Sequence, residues 1–407
     1  MTSSQARKIL ISGASIAGPT LGYWLEKSGF DVTLVERSDA VRAGGYAIDI
    51  RGPAVDVVER MGILPPLREA HIRTRKFTFL SPSGRKVGSI KPVDLMGAEE
   101  GRDIELPRGH LTSLLYDLTR DKVKYIFGDC ICSISDGDSG VDVEFKSGSK
   151  ERFDVVVAAD GLHSATREMV FGPESLFSRY LGFCFAICTL PDLHGLSREA
   201  VLYNKPGKLA MLYAAGEAPP LGGVIVVKRP APTREELEDI EQQREFMASS
   251  ISGDSNMVSK LIPALVEDEG FYFDTMMQIR MPSWSSGRVA VVGDAAYAPS
   301  FFSGQGTSLA LVGAYMLAGE LARHDNHSEA FQAYERTVRP FVEKNQAVAK
   351  DGGETMVPDS ALKLWLRNRM IQLAPLLNRF GLISRGPRKA YTALTLPDYE
   401  GPQREHS

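Results

Sequence analysis

Three glycine-bearing segments hold the residues whose types and spacing could do chemistry. In "KILISGASIAGPTLGYWLEKSGFDVTLVER", Gly13-Ala14-Ser15-Ile16-Ala17-Gly18 follows the apolar run Ile9 to Ile11. It precedes a stretch of helical spacing in which Leu21, Trp24 and Leu25 share a face. Gly13 permits a tight turn, Gly18 lets helix and strand pack closely, and free N–H groups at the helix start attract phosphate. Glu36 ends the next strand, Val32 to Val35, where a carboxylate can accept from ribose hydroxyls. Ser15 stands where a further glycine usually admits a pyrophosphate. It adds only a hydroxymethyl group, which can donate to phosphate or cap the helix. This βαβ unit is the context in which such a turn binds a dinucleotide. The motif alone does not separate NAD from FAD, and a βαβ with no ligand is the alternative.

The second segment, "FDVVVAADGLHSATRE", is a strand running into Asp160-Gly161, with Ser164 and Arg167 beyond. The third, "GRVAVVGDAAYAPSFFSGQGTSLALVGAYMLAGEL", is a strand, then Gly293-Asp294, a loop with Gly304 and Gly306, and a helix. An acid at a strand end can bind sugar hydroxyls, and a glycine loop before a helix can present N–H groups to a flavin edge or a pyrophosphate. The plainer readings are a helix N-cap for Asp160 and a buried structural acid for Asp294.

Taken together and in this order, the three segments resemble the group A flavoprotein monooxygenases, the p-hydroxybenzoate hydroxylase-like FAD-dependent aromatic monooxygenase family. The resemblance covers nearly all of the chain up to residue 350. It implies an ADP-binding turn at Gly13, Ser15, Ile16, Ala17 and Gly18, with Glu36 and Arg37 at the ribose. Arg108, in "LPRGHL", matches an arginine that contacts FAD from a helix start, though a surface arginine is the plainer reading. Asp160 and Gly161 match a motif shared by FAD and the nicotinamide nucleotide. Asp294 matches the acid on the ribityl or ribose hydroxyls. Pro299, Gly304, Gly306 and Thr307 match the loop beside the isoalloxazine ring. Gly44 and Gly45, in "RAGGYAIDI", match a glycine segment near the flavin, or simply make a turn. Four departures stand out. Tyr297 replaces a histidine, Ser300-Phe301 takes the place of a proline pair, Ser308 replaces an asparagine and Gly313 replaces an aspartate. Tyr297 reads as packing rather than catalysis.

The resemblance implies an NAD(P)H- and O2-dependent hydroxylase that inserts one oxygen atom into an aromatic or polyketide-like molecule through a C4a-hydroperoxyflavin. The flavin carries the chemistry, so no catalytic side chain is assigned. One complete dinucleotide turn suits tightly and non-covalently held FAD, with NAD(P)H as a transient reductant. A flavin dehydrogenase or reductase, or a non-catalytic flavin- or metabolite-binding protein, are the alternatives. A flavin-dependent halogenase would carry a WxWxIP segment, whereas Trp24, Trp284 and Trp365 are isolated.

The elements that must position these residues follow from the pattern. The expected fold is α/β: a Rossmann-like FAD-binding domain, an interleaved β-sheet substrate domain and C-terminal helices. The FAD-binding domain takes 1–75, 101–179 and 281–350. Strands at 76–100 and a sheet at 180–280 form the substrate domain, and 351–407 is helical. Arg108 to Thr119 reads as a helix, and Val123 to Val157 as a three-stranded meander returning to the core. Phe183, Phe185, Met211, Tyr213, Phe273 and Phe301 are the aromatic and sulfur-bearing candidates for the substrate lining, with plain core as the alternative for each. "TREELEDIEQQREFMASSI" reads as an exposed helix with a solvated face. The tail helix "ALKLWLRNRMIQLAPLL" is basic and amphipathic, and covering the flavin domain is preferred to lying on a membrane.

Composition bounds the rest. A content of 43% hydrophobic and 24% charged residues in 407 is that of a soluble globular protein. The net charge of −4 lacks the basic excess of a nucleic-acid binder. Cys130, Cys132, Cys184 and Cys188 form no CxxC pair, and no histidine spacing suggests zinc. Free thiols and the absence of a secretory signal point to the cytoplasm. Ala295 to Gly319 is uncharged but broken by Pro299, Gly304 and Gly306, so no membrane span is expected. The chain is expected to be a monomer or homodimer acting on a small molecule.

Overall fold

The computed structural model describes residues 6–41, 46–190, 196–214, 221–251, 256–378 and 385–399. Its first layer is a six-stranded sheet in the order Ser285–Ser286, Val289–Val291, Val155–Ala158, Lys8–Ser12, Asp31–Glu36, Lys124–Phe127. All neighbours are parallel except the Ser285–Ser286 edge. Ile9, Leu10 and Ile11 are wholly buried, as a short apolar run must be when both sheet faces are covered. Ile11 stands between Leu34 and Val157 in register.

This strand order brings the motifs together. Val289–Val291, Val155–Ala158, Lys8–Ser12 and Asp31–Glu36 are consecutive neighbours, although in the chain they are spread from Lys8 to Val291. Asp294, Asp160 and Gly13 follow the ends of the first three, and Glu36 ends the fourth. Four groups distant in sequence therefore line one edge, at the carboxyl ends of parallel strands, where α/β sheets bind ligands.

The second layer is a seven-stranded sheet in the order Tyr272–Ile279, Ser178–Leu190, Leu221–Lys228, Lys208–Ala214, Glu199–Lys205, Lys76–Leu80, Lys86–Ile90. Side chains alternate between its faces. Cys184, Ala186 and Cys188 pack beneath the helices Ile240–Ile251 and Asn256–Glu267, while Phe183, Phe185 and Ile187 belong to the opposite face.

Three expectations change. Lys124–Phe127 pairs with Asp31–Glu36 in the parallel sheet, so the meander starts at Ile131 rather than Val123. The segment expected to be one solvated helix is two, Arg234–Glu238 and Ile240–Ile251, and Arg244, Met247 and Ile251 of the second are buried against the sheet. The tail helix Ala361–Asn378 covers the second sheet instead of the flavin lobe: Ile371 packs on the Gly88 backbone, and the buried Arg367 donates to Asn204 Oδ1 at 3.0 Å and lies over Phe79. The first lobe is covered by Ala393, Leu394, Leu396 and Tyr399 from farther along the tail. Apolar periodicity tells which face of a helix is covered and leaves open which sheet covers it. Among the described residues, no helix is long and apolar enough to cross a membrane.

Candidate functional site

The first turn is set by backbone crowding. Gly13 has φ +108°, and a Cβ there would lie 2.5 Å from the Ala159 carbonyl oxygen. At Gly18 a Cβ would lie 1.9 Å from the Gly13 carbonyl, so this position serves helix–strand packing and stays off the cavity wall. Ser15 does not cap the helix Ala17–Lys27, whose N-cap residue Ile16 makes no side-chain cap. Its Oγ instead accepts from Arg108 Nη2 at 2.7 Å. Glu36 accepts from the Ala14 N–H at 2.8 Å and the Ser38 N–H at 3.0 Å, which fixes its carboxylate under the turn.

The second and third turns are tied to each other. Asp160 accepts from Ser164 Oγ and, at 3.0 Å, from the Thr166 N–H, while the N-cap of the helix Ala165–Phe171 is Ser164, whose Oγ accepts from the Arg167 N–H at 2.9 Å. Arg167 is fully buried and donates to the carbonyls of Leu162 and Ala295, at 2.9 and 3.1 Å, and to Glu174 at 2.7 Å. One guanidinium therefore spans the loops that carry Asp160 and Asp294. Asp294 is enclosed by protein yet opens into the cavity. Burial raises its pKa, with Arg108 opposing and Asp274 reinforcing the shift. Gly304 has φ +61°, and a Cβ there would come 3.2 Å from Asp49 Oδ2. With Gly306 and Thr307 it opens the buried helix Gly306–Arg323 toward the cavity.

Two of the departures explain each other. The Tyr297 hydroxyl lies 1.8 Å from where a Cβ at Gly313 would be, and meets Tyr334 Oη at 3.0 Å. A tyrosine fits here because residue 313 has no side chain. Ser308 Oγ accepts from the Arg51 N–H at 3.0 Å and thereby ties this helix to the strand Ala47–Ile50.

These groups surround one continuous cavity of about 3030 Å³. Gly13, Ser15, Ile16, Ala17, Glu36, Arg37, Arg108, Asp160, Gly161, Asp294, Pro299, Gly304, Gly306 and Thr307 line it. Gly44 and Gly45 lie outside the described residues. On the sheet side Phe185, Met211, Tyr213, Phe273 and Phe301 line it. Phe183 does not. It is 4% exposed and packs edge-on against Phe302, since alternate positions of a strand need not reach the same opening. Phe301 stacks on Phe185 with centroids 4.8 Å apart and meets the Tyr46 ring at 5.7 Å. Drug-sized pockets run to about 300–1,000 Å³, so this space holds more than one such ligand.

Several lining residues escaped the sequence reading. Tyr46 brings a phenol whose pKa burial raises, partly offset by Arg108. Asp49 and Glu105 face each other across paired strands, with Arg51 2.9 Å from Asp49. Burial, then Asp49, raises Glu105 to about 7. Tyr272, Asp274 and His163 complete the wall. A carboxylate within the apolar strand "GFYFDTMMQIRM" was the signal available for Asp274.

The donor set fits a flavin dinucleotide. A Cβ at Gly304 would crowd Asp49 Oδ2 on the cavity wall, and Ser300 Oγ, which also borders the cavity, is a buried hydroxyl with no protein partner. Comparison with known proteins agrees. The FAD binding domain family matches residues 6–349. A flavin-dependent monooxygenase from an unknown prokaryotic organism is 36% identical over 397 residues, covering 97% of this chain and 99% of that one. The crystal structure of tetracycline destructase Tet(55) superposes with a TM-score of 0.82 at 34% identity, covering 97% of this chain and 99% of that one. HpxO of Klebsiella pneumoniae, complexed with FAD and uric acid, shares the fold at a TM-score of 0.75 and 22% identity, over 94% of this chain and 97% of that one.

Proposed function

We propose, from the premise that this chain belongs to the group A FAD-dependent monooxygenase family, that it oxygenates a polycyclic aromatic or polyketide-like small molecule. Bound FAD supplies the activation of dioxygen and the transfer of one of its oxygen atoms, with NAD(P)H as reductant. The observation that carries the reading is the single cavity, walled on one side by the motif residues and on the other by an aromatic sheet face.

The residues divide the work. The Gly13–Gly18 turn and Arg108 receive the pyrophosphate, and Ser15 holds the guanidinium in place. Glu36 and Asp294 accept from ribose and ribityl hydroxyls, each carboxylate oxygen retaining a free lone pair for the purpose. Pro299, Gly304, Gly306 and Thr307 border the ring. Phe185, Phe301, Met211 and Tyr213 give a flat substrate an apolar face and keep water out, which protects the reactive oxygen. The similarity to a tetracycline destructase makes a fused four-ring polyketide the first compound to try. A cytoplasmic setting, where NAD(P)H is available, goes with this reading.

The test is NAD(P)H oxidation by the yellow, FAD-loaded protein with tetracyclines, phenols and polycyclic quinones under labelled dioxygen. Substrate-stimulated oxidation with one labelled oxygen in the product is expected. Stimulated oxidation without label favours a dehydrogenase. A colourless protein that takes up no flavin ends the reading.

A further inference from the structure

The helix Ala361–Asn378 has two apolar faces. Leu364, Arg367 and Ile371, spaced i, i+3 and i+7, are buried, the last two against the second sheet. On the opposite side Leu362, Trp365, Leu366, Met370 and Leu373 are 49–67% exposed. Their spacing, i, i+3, i+4, i+8 and i+11, makes them one stripe along the helix. At about 1.5 Å per residue the stripe runs roughly 16 Å. Other large apolar side chains exposed among the described residues, such as Met169 and Val266, stand apart from it in the chain. Single exposed apolar residues need no explanation, whereas a continuous patch marks a surface that binds something.

The charge around the stripe selects the partner. Residues 360–397 hold seven Lys and Arg and no Asp or Glu, in a chain whose net charge is −4. Arg369 lies within the stripe, its guanidinium 5.4 Å from the centre of the Trp365 ring and its Nη1 donating to Gln372 at 3.0 Å. Lys389 is exposed, as are Lys86 of the covered strand and its neighbours Arg85 and Lys91. Carboxylates stand at the edges. Asp359 and Glu354 lie by Lys363 at the N-terminal end of the helix, and Glu99 meets Arg388 at 3.2 Å. A second copy of this chain would set the same patch against itself, because a two-fold interface is isologous. Arg369 would then face a basic segment that has no carboxylate to answer it. Anionic lipid headgroups do answer it, while the acyl chains below them take up Leu, Met and indole. Tryptophan suits the boundary between the two, where one end of the ring is wet.

We propose that this face docks on an anionic membrane surface, with the helix lying in the plane of the interface and not crossing it. Met356, shortly before the helix, and Lys91, directly after the strand it covers, both line the cavity. Docking therefore sets the border of the cavity beside the bilayer.

The experiment is sedimentation of the FAD-loaded protein with vesicles of phosphatidylglycerol and phosphatidylcholine, and with vesicles of phosphatidylcholine alone. Wild type is expected to bind the anionic vesicles and to leave them as salt rises, since exposed charges are screened. One basic residue at an anionic surface is worth about fivefold in binding, so Arg369→Gln is expected to lose about that much. Leu362→Ser combined with Leu366→Ser and Met370→Ser removes the apolar contact and is expected to lose at least about tenfold. These side chains are exposed and lie off the cavity, so FAD affinity and melting temperature hold in both variants. Wild type that stays in solution, binding equal to that on neutral vesicles, or variants that bind as wild type does overturn the proposal. A stable dimer that the triple variant dissolves assigns the face to a second copy and overturns it too. The monooxygenase reading stands through all of these outcomes, and wild type that binds no flavin overturns that reading alone.

Discussion

The Arg108 guanidinium donates to the hydroxyl of Ser15 across 2.7 Å, joining the start of the helix Arg108–Thr119 to the first dinucleotide turn. The serine at a glycine position thus has a partner within the protein and orients the cation that a pyrophosphate would meet. Hydrogen bonds to charged groups contribute about 1.5–3 kcal/mol. Arg108→Ala is therefore expected to weaken FAD binding by roughly 10–100-fold in a fluorescence titration. Ser15→Gly restores the usual residue and is expected to weaken it only a few-fold. A larger loss in Ser15→Gly than in Arg108→Ala would contradict this account.

Tyr297 and Gly313 form one packing unit. Gly313→Ala places a methyl on the Tyr297 hydroxyl, and overpacking of this kind costs about 1–3 kcal/mol. Tyr297→Phe combined with Gly313→Ala should recover much of that loss, because the clashing oxygen is gone. Denaturant melts of the single and double variants measure the coupling, and strict additivity would rule it out.

Gly222 lies beneath the Tyr213 ring, where a Cβ would come 2.0 Å from Tyr213 Cζ. The ring must therefore shift to admit a methyl, and the cavity is the open space beside it. Gly222→Ala is expected to drive Tyr213 into the cavity, raising the substrate KM roughly tenfold while the FAD affinity stays put. Equal effects on both would place the disturbance elsewhere.

Glu105 gives a pH dependence of definite sign. Its pKa in the folded protein, about 7, lies above the ordinary 4.5 because burial, and then Asp49, disfavour the charged form. The folded state therefore holds this proton more tightly than the unfolded chain does, and stability falls as pH rises from about 4.5 through about 7. Glu105→Gln keeps the shape without the charge. It is expected to stabilise the protein at pH 8 more than at pH 5 in urea melts, whereas a pH-independent effect would refute the assignment.

Much of this molecule was legible as a string. Ile9 to Ile11, the turn at Gly13 and the strand-to-loop junctions at Asp160 and Asp294 rest on local signals, since apolar runs, small residues and acids at strand ends act over a few neighbours. Their order along the chain was enough to suggest a family, which the comparisons bear out. Phe183 and Phe185, two residues apart, show where such signals stop: both are buried on one face, yet only the second reaches the cavity.

Tertiary structure alone decided the rest. Which strands lie side by side sets Arg108 against Ser15, Tyr297 against Gly313 and His163 against Asp274, pairs separated by 93, 16 and 111 positions. Packing placed the Ala361–Asn378 helix on the second sheet, a choice its own amphipathic pattern left open. Side-chain periodicity specifies that a face must be covered. The partner is selected by shape and charge brought near only when the whole chain closes.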